Sequence, residues 1–325
     1  MTGTALLCDI GGTNARFAYL DGERLGPVTQ LETAAFPTIE AAIRHVLAEF
    51  RLEPQQAVLS VAGPVARNCA RLTNAAWSID GDALRLTFDL TRALVVNDFL
   101  ALAYSLPELA ADERAAIGPA REGEEPSRLA PMVVIGPGTG FGTALYLPTA
   151  EGAGRAVPTE AGHATLAAGN ELEAQVIALL CRDLGHAAVE DAVSGPGLAR
   201  LDQALAALAG ETRPARSAAE IVAQAEAGEE QANETLTLFF GLLGATAGNI
   251  AVTTGARGGV YLAGGILPRL KTQLERSSFR VRFEAKGRMT PYLEAIPTWL
   301  ITAPHPAFKG LARLAAMPGR PSDFS

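Results

Sequence analysis

Lysine is nearly missing from this chain. Lys271, Lys286 and Lys309 are the only three in 325 residues. No basic run occurs anywhere, and 27 Lys+Arg against 35 Asp+Glu leave a formal net charge of −8. A nucleic-acid binder needs a basic face, so that class is excluded. Cysteine is as scarce. Cys8, Cys69 and Cys181 are far apart and form no Cys-x-x-Cys pair, which fits a reducing compartment and gives no basis for a structural zinc site. Met1-Thr2-Gly3-Thr4 has neither a basic n-region nor a long apolar stretch, so no secretory signal is expected and a cytoplasmic location is the plain reading.

Long uncharged runs are few. Residues 129–150 are broken by Pro131, Gly136, Pro137, Gly138, Gly140, Gly142 and Pro148, which one spanning helix cannot tolerate. Residues 235–256 contain Thr237, Thr246, Asn249, Thr253 and Thr254, so a helix buried in a soluble core is expected and no membrane partner. What is abundant is apolar: 48% hydrophobic residues against 19% charged. That excludes a disordered or collagen-like chain and gives material for a large core. The length predicts about two domains.

Short apolar strands alternate with helical periodicity. Strands are predicted over 5–9, 17–20, 57–61, 93–96, 132–135, 143–147 and 259–263. Helices are predicted over 39–50, 98–105, 171–184, 217–227, 231–254, 267–277 and 307–317. The alternation predicts an α/β architecture. Residues 107–128 are charged, polar and Pro/Gly-containing and read as a surface crossover between domains.

One device occurs twice. Asp9-Ile10-Gly11-Gly12-Thr13 and Gly136-Pro137-Gly138-Thr139-Gly140 each lie between an apolar strand and a second strand. Glycine lets backbone amides approach an anion, and threonine adds a hydroxyl donor. Neither loop is followed by Gly-Lys-Ser/Thr, and neither opens a helix, so neither is a P-loop or a dinucleotide fingerprint. Two hairpin turns are the plain alternative. The repetition and the adjacent Asp9 favour phosphate binding in two related lobes, with Asp9 able to hold a hydrated Mg²⁺.

Asn97-Asp98 falls between a strand and a helix. It can be a helix N-cap, or a carboxylate at the carboxyl end of a strand, where α/β sheets place ligands. A helix N-terminus would favour the ionised form of Asp98. Glu160 and His163 are three apart, but Pro158 and Gly162 argue against a helical zinc pair. Glu190 precedes Ser194-Gly195-Pro196-Gly197, which reads as a turn. Trp77 could stack on a sugar, though a structural role suits a lone tryptophan better.

Taken together these segments resemble the bacterial glucokinase family, within the actin, Hsp70 and hexokinase superfamily. They occur in the family's order: Cys8-Asp9-Ile10-Gly11-Gly12-Thr13-Asn14-Ala15-Arg16, Ala62-Gly63-Pro64-Val65, Leu72-Thr73-Asn74 with Trp77, Val96-Asn97-Asp98-Phe99, Gly136 to Gly142, Glu160-Ala161-Gly162-His163, Ser194-Gly195-Pro196-Gly197 and Leu262-Ala263-Gly264-Gly265-Ile266. The first glycine of the family's Glu-Gly-Gly-His stretch is Ala161 here. The related ROK sugar kinases have a cysteine-rich zinc motif after their histidine; this chain has none there, so no zinc is expected.

The resemblance implies a two-lobed actin/hexokinase-like (ribonuclease H-like) α/β fold with an interlobe cleft. The small lobe would hold residues 1–107 plus 303–325, the large lobe 108–302. It implies an ATP-dependent glucokinase that makes glucose 6-phosphate. Asp98 would be the general base toward the 6-hydroxyl. Asn97, Asp98, Glu160, His163 and Glu190 would bind glucose. Cys8, Asp9, Ile10, Gly11, Gly12, Thr13, Gly136, Gly138, Thr139, Gly140, Gly264 and Gly265 would surround ATP, with Asp9 placing Mg²⁺. A homodimer is implied in the same way. A broader hexokinase that accepts mannose or uses polyphosphate, a non-catalytic sugar-binding regulator and a nucleotide hydrolase are the alternatives. The intact Asp9, Asp98 and both loops speak against the regulator, and a hydrolase needs no Glu160/His163/Glu190 set.

Overall fold

In the computed structural model of the chain, residues 4–72, 77–119, 129–150, 152 and 154–319 are described. Asn74, part of one quoted motif, lies outside them. The chain divides into two compact units: Met1–Ala110 with Arg155–Pro158 and Ala303–Ser325, and Ala111–Gly154 with Thr159–Thr302.

The first unit is organised by one sheet. Strand Ala5–Ile10 forms an antiparallel hairpin with Asn14–Asp21 and runs parallel to Gln56–Val61, which runs parallel to Arg92–Asn97. The short strands Arg24–Leu25 and Thr29–Glu32 pair with Asn14–Asp21. Parallel strands are covered on both faces, so they read as unbroken apolar runs rather than alternating ones. Leu6, Leu7, Cys8, Val58, Leu59 and Leu94 are all buried. Helix Ile39–Phe50 is capped by Thr38, whose hydroxyl accepts from Ala41 N, and buries Ile39, Ala42, Ile43 and Val46. Helix Ala307–Ala316 returns to this unit and buries Phe308, Leu311 and Leu314. It packs on helix Asp98–Ser105, where a Cβ at Gly310 would collide with the Ala101 carbonyl, so only glycine allows that approach. Trp77 is structural: its side chain is buried, and its Nε1 donates to the Phe36 carbonyl at 3.0 Å.

The second unit repeats the scheme. Strand Met132–Pro137 forms an antiparallel hairpin with Phe141–Leu147 and runs parallel to Gly259–Leu262, which runs parallel to Thr298–Ile301. The repeated loop motif in the sequence thus marks a repeated topology: a hairpin followed by two parallel strands. Edge strand Arg114–Ala116 adds antiparallel to Thr298–Ile301. Part of the stretch expected as a crossover is therefore sheet, because its backbone completes an open edge.

Helix Glu230–Thr254 is long and apolar enough to cross a bilayer, yet 78% of its most apolar window is buried inside the protein. Phe239, Phe240, Leu242 and Leu243 are all core residues, and the expectation of a core helix stands. Two expectations fail. The stretch Ser194-Gly195-Pro196-Gly197 is not a turn but the start of helix Gly195–Leu208, with Ser194 as N-cap and proline in the first turn. Proline and glycine there are compatible with a first turn, whose amides have no intrahelical partner anyway. The expected helix over 267–277 is a 3₁₀ turn, Leu267–Leu270, followed by helix Lys271–Arg276.

Candidate functional site

In the first unit the pairing register aligns Ile10 with Val61 and Val61 with Asn97. The Gly11–Thr13 turn and Asn97-Asp98 therefore emerge at the same carboxyl edge of the sheet. The turn is closed by Gly11 N donating to the Asn14 carbonyl at 2.9 Å, and Thr33 Oγ1 donates to the Gly11 carbonyl at 3.1 Å. The amides of Gly12 and Thr13 take no part in these bonds, which suits an anion cradle.

Side-chain alternation along Ala5–Ile10 decides which neighbours can reach a ligand. Cys8 and Ile10 are buried in the core, and burial with the nearby Asp9 charge pushes the Cys8 thiol far up. Their side chains face away from any nucleotide at this edge, so the role expected of them falls to their backbone. Asp9 points the other way. Its Oδ1 accepts from Ser60 Oγ at 2.9 Å and its Oδ2 lies 3.4 Å from Arg16 Nη1. Arg16 and Ser60 are the register partners of Asp9 on the two flanking strands. Sequence spacing does not reveal that pairing.

Asn97 and Asp98 divide the two roles that the sequence left open. Asn97 is the N-cap: its Oδ1 accepts from Phe99 N at 2.9 Å and Leu100 N at 3.3 Å, and its Nδ2 donates to the Gly63 carbonyl at 3.0 Å. Asp98, the first helical residue, is not needed as a cap. Its carboxyl is raised from 3.8 to about 7, first by burial and then by the Asp9 charge, against the hydrogen bond from Phe99 N. The expectation that a helix N-terminus would keep Asp98 readily ionised is thus corrected: desolvation and a like charge outweigh the helix end.

In the second unit the Gly-rich loop is braced from two sides. Gly138 N donates to the Gly140 carbonyl at 2.8 Å, and Gly195 N, in the first turn of helix Gly195–Leu208, donates to the Gly138 carbonyl at 2.8 Å. Gly264 sits against the loop with φ +91°, where a Cβ would lie 2.5 Å from the Pro137 carbonyl. Both the left-handed backbone and the close approach require glycine. Thr139 is exposed, like Thr13. A Cβ at Gly138 or Gly265 would meet nothing within 4 Å, so open space surrounds both.

Glu160, His163 and Glu190 come together in this unit. His163 Nδ1 lies 3.4 Å from Glu190 Oε1, and its Nε2 lies 3.9 Å from Glu160 Oε2. His163 closes a single 3₁₀ turn, Ala161–His163, that follows Glu160. Glu190 lies in the short helix Val189–Ala192. Glu190 Oε2 accepts from Phe141 N at 3.4 Å, and Ser194 Oγ donates to the Glu190 carbonyl at 2.6 Å. From sequence alone Ser194 has no role beyond a turn. A cavity of about 1100 Å³ elsewhere in this unit, lined by Glu173, Gln231, Leu238 and Arg282 among others, contains none of these residues. Among the described residues no group of three or more His, Cys, Asp or Glu is placed to hold a metal ion.

Two α/β units, each with a glycine-rich hairpin followed by parallel strands, and one with a carboxylate at its strand ends, define a phosphotransferase of the actin-like ATPase class. The comparisons give the family. The Glucokinase family profile matches residues 6–318. The glucokinase of Paramagnetospirillum magneticum is 41% identical over 323 residues, covering 98% of this chain and 99% of that protein. A crystal structure of glucokinase from an Antarctic psychrotroph is 35% identical with a TM-score of 0.86, covering 97% of this chain and 99% of that one. A ROK family glucokinase from Streptomyces griseus, solved with glucose and AMPPNP, shares the fold at 20% identity and a TM-score of 0.63, covering 96% of this chain and 99% of that one. The chain belongs to the glucokinase family, sugar kinases that transfer a phosphoryl group to an alcohol.

Proposed function

We propose that this protein transfers the γ-phosphoryl group of ATP to the 6-hydroxyl of glucose, with Asp98 as the general base. ATP-dependent phosphorylation of glucose is the activity of the family to which the chain belongs. The observation behind the role of Asp98 is the division of labour at the helix start. Asn97 supplies the cap, which leaves a partly buried Asp98 carboxylate whose proton affinity sits near 7. A base poised near the working pH both exists in the acceptor form and binds a proton well enough to help the hydroxyl attack.

Phosphoryl transfer asks for positioning and charge neutralisation more than covalent help. Gly12, Thr13, Thr139 and Gly140 offer amides, and both threonines offer exposed hydroxyls, to phosphate oxygens. Gly264 and Gly265 let the chain pass close to the nucleoside. Glu160, His163, Glu190 and Asn97 offer acceptors and donors to ring hydroxyls. Asp9 fits Mg²⁺: it is a single, partly exposed carboxylate, and this ion keeps several waters and takes other ligands from phosphates. When bound, Mg²⁺ would neutralise phosphate charge. We place the enzyme in the cytoplasm as a homodimer whose partners are glucose and ATP.

A coupled assay over a panel of hexoses and phosphate donors tests the reading. The expected result is turnover with glucose and MgATP, well above mannose or polyphosphate. Turnover with neither glucose nor any other hexose would refute it.

A further inference from the structure

The Glu190 side chain touches both the sugar-side cluster and the glycine-rich loop. Its Oε1 faces His163 Nδ1 at 3.4 Å and its Oε2 accepts from Phe141 N at 3.4 Å. Around it the backbone closes a ring. Ser194 Oγ donates to the Glu190 carbonyl at 2.6 Å, Gly195 N donates to the Gly138 carbonyl at 2.8 Å, and Gly138 N donates to the Gly140 carbonyl at 2.8 Å. Phe141 N, next along the chain, returns to Glu190. Gly140 completes the fit, because a Cβ there would lie 2.7 Å from Glu190 Oε2.

We propose that Glu190 couples the two substrates: a sugar hydroxyl on one carboxylate oxygen holds the other oxygen on Phe141 N and so orders the donor loop. This rests on the sugar-kinase reading above, and it concerns a link within one unit rather than any movement of units. The Glu190 side chain is about a third exposed, at 32%, so packing alone does not lock it. Both of its contacts are long, so neither holds it firmly by itself. A hydroxyl donating to Oε1 removes the rotamer freedom of the carboxylate. The loop then meets the phosphates already ordered, and the second ligand no longer bears that ordering cost. Linkage requires the effect to be equal in both directions.

A carboxylate has two acceptor oxygens and can serve both sides at once. An amide has one acceptor oxygen and an NH₂ donor, so it cannot accept from both sides at once. Glu190→Gln therefore separates the two contacts while keeping the shape. Gly140→Ala acts from the opposite side, pushing Oε2 off Phe141 N while Glu160 and His163 keep their places. Gly140 has no left-handed φ, so alanine brings no backbone strain.

The test is calorimetry of glucose binding with and without saturating MgADP, on the full-length wild type and both variants. Wild type is expected to bind glucose about fivefold or more tightly with MgADP present, in the usual range of coupling between sites. In Gly140→Ala and Glu190→Gln the ratio is expected to fall to about twofold or less, whatever the change in affinity for either ligand alone. A wild-type-sized ratio in folded Gly140→Ala, or no coupling in wild type, overturns the inference. A wild type that binds neither ligand overturns the sugar-kinase reading itself, and this inference with it.

Discussion

Replacing Asp98 with Asn removes the proton acceptor and leaves the helix start intact, because Asn97 supplies the cap. The stability effect has a definite sign. A folded-state carboxyl raised above its unfolded value costs nothing well below the unfolded value, costs progressively more between 3.8 and about 7, and costs a constant amount above that. A rise from 3.8 to about 7 corresponds to at most about 4 kcal/mol at 1.36 kcal/mol per pH unit. Asp98→Asn should therefore be more stable than wild type at pH 8, by up to that amount, and no more stable at pH 4. Its kcat should fall by roughly 10²–10⁴-fold, or about 3–5.5 kcal/mol of barrier. Glucose affinity should fall far less, since Asn can still hydrogen-bond the 6-hydroxyl. The measurements are denaturant unfolding at both pH values and coupled-assay kinetics at saturating glucose and MgATP. Wild-type kcat/KM for glucose should itself decline with acid below about pH 7, as Asp98 of the free enzyme takes up a proton. The reasoning is falsified if folded Asp98→Asn keeps kcat within about tenfold of wild type.

Further outcomes follow from named contacts. Asp9→Asn removes the charge that helps raise Asp98, so the acid limb of the profile of kcat/KM for glucose against pH should move to lower pH while KM for MgATP rises; an unmoved limb contradicts the Asp9–Asp98 coupling. Glu160→Ala, His163→Ala and Glu190→Ala should each weaken glucose by about tenfold or more, the cost of leaving a partner unpaired, as read by calorimetry. Gly138→Val enters open space, so it should raise KM for ATP with the fold kept, whereas Gly264→Ala should also destabilise by about 1–3 kcal/mol through strain at φ +91°; equal thermal midpoints for the two variants would count against this. Asp202 is fully buried and ion-paired with Arg216, which also bonds Glu229 at 2.9 Å. Arg216→Ala should cost about 3–5 kcal/mol in urea unfolding, because it strands a buried charge.

Much of this protein is written locally. Periodicity alone located helices Ile39–Phe50, Asp98–Ser105 and Glu171–Leu184 to the residue, because capping and apolar spacing are short-range signals. The doubled glycine loop announced a doubled topology, since a hairpin needs only its own turn chemistry. The residue types expected at the site were also legible, as was their order along the chain. Helix Gly195–Leu208 was not, because Gly-Pro-Gly after a serine has the composition of a turn, and only the packing of Leu198, Leu201 and Leu205 into the core makes it helical. Nor could spacing show that Asp9 sits between Arg16 and Ser60, since strand register is a tertiary fact. The protonation of Asp98 is the clearest case. Sequence placed it at a helix start, which favours ionisation; burial and the charge of Asp9, 89 positions away in the chain, push its carboxyl up to about 7 instead. Glu190 gained its two-sided role in the same way, from a loop and a histidine that the sequence keeps far apart and the fold brings to one carboxylate.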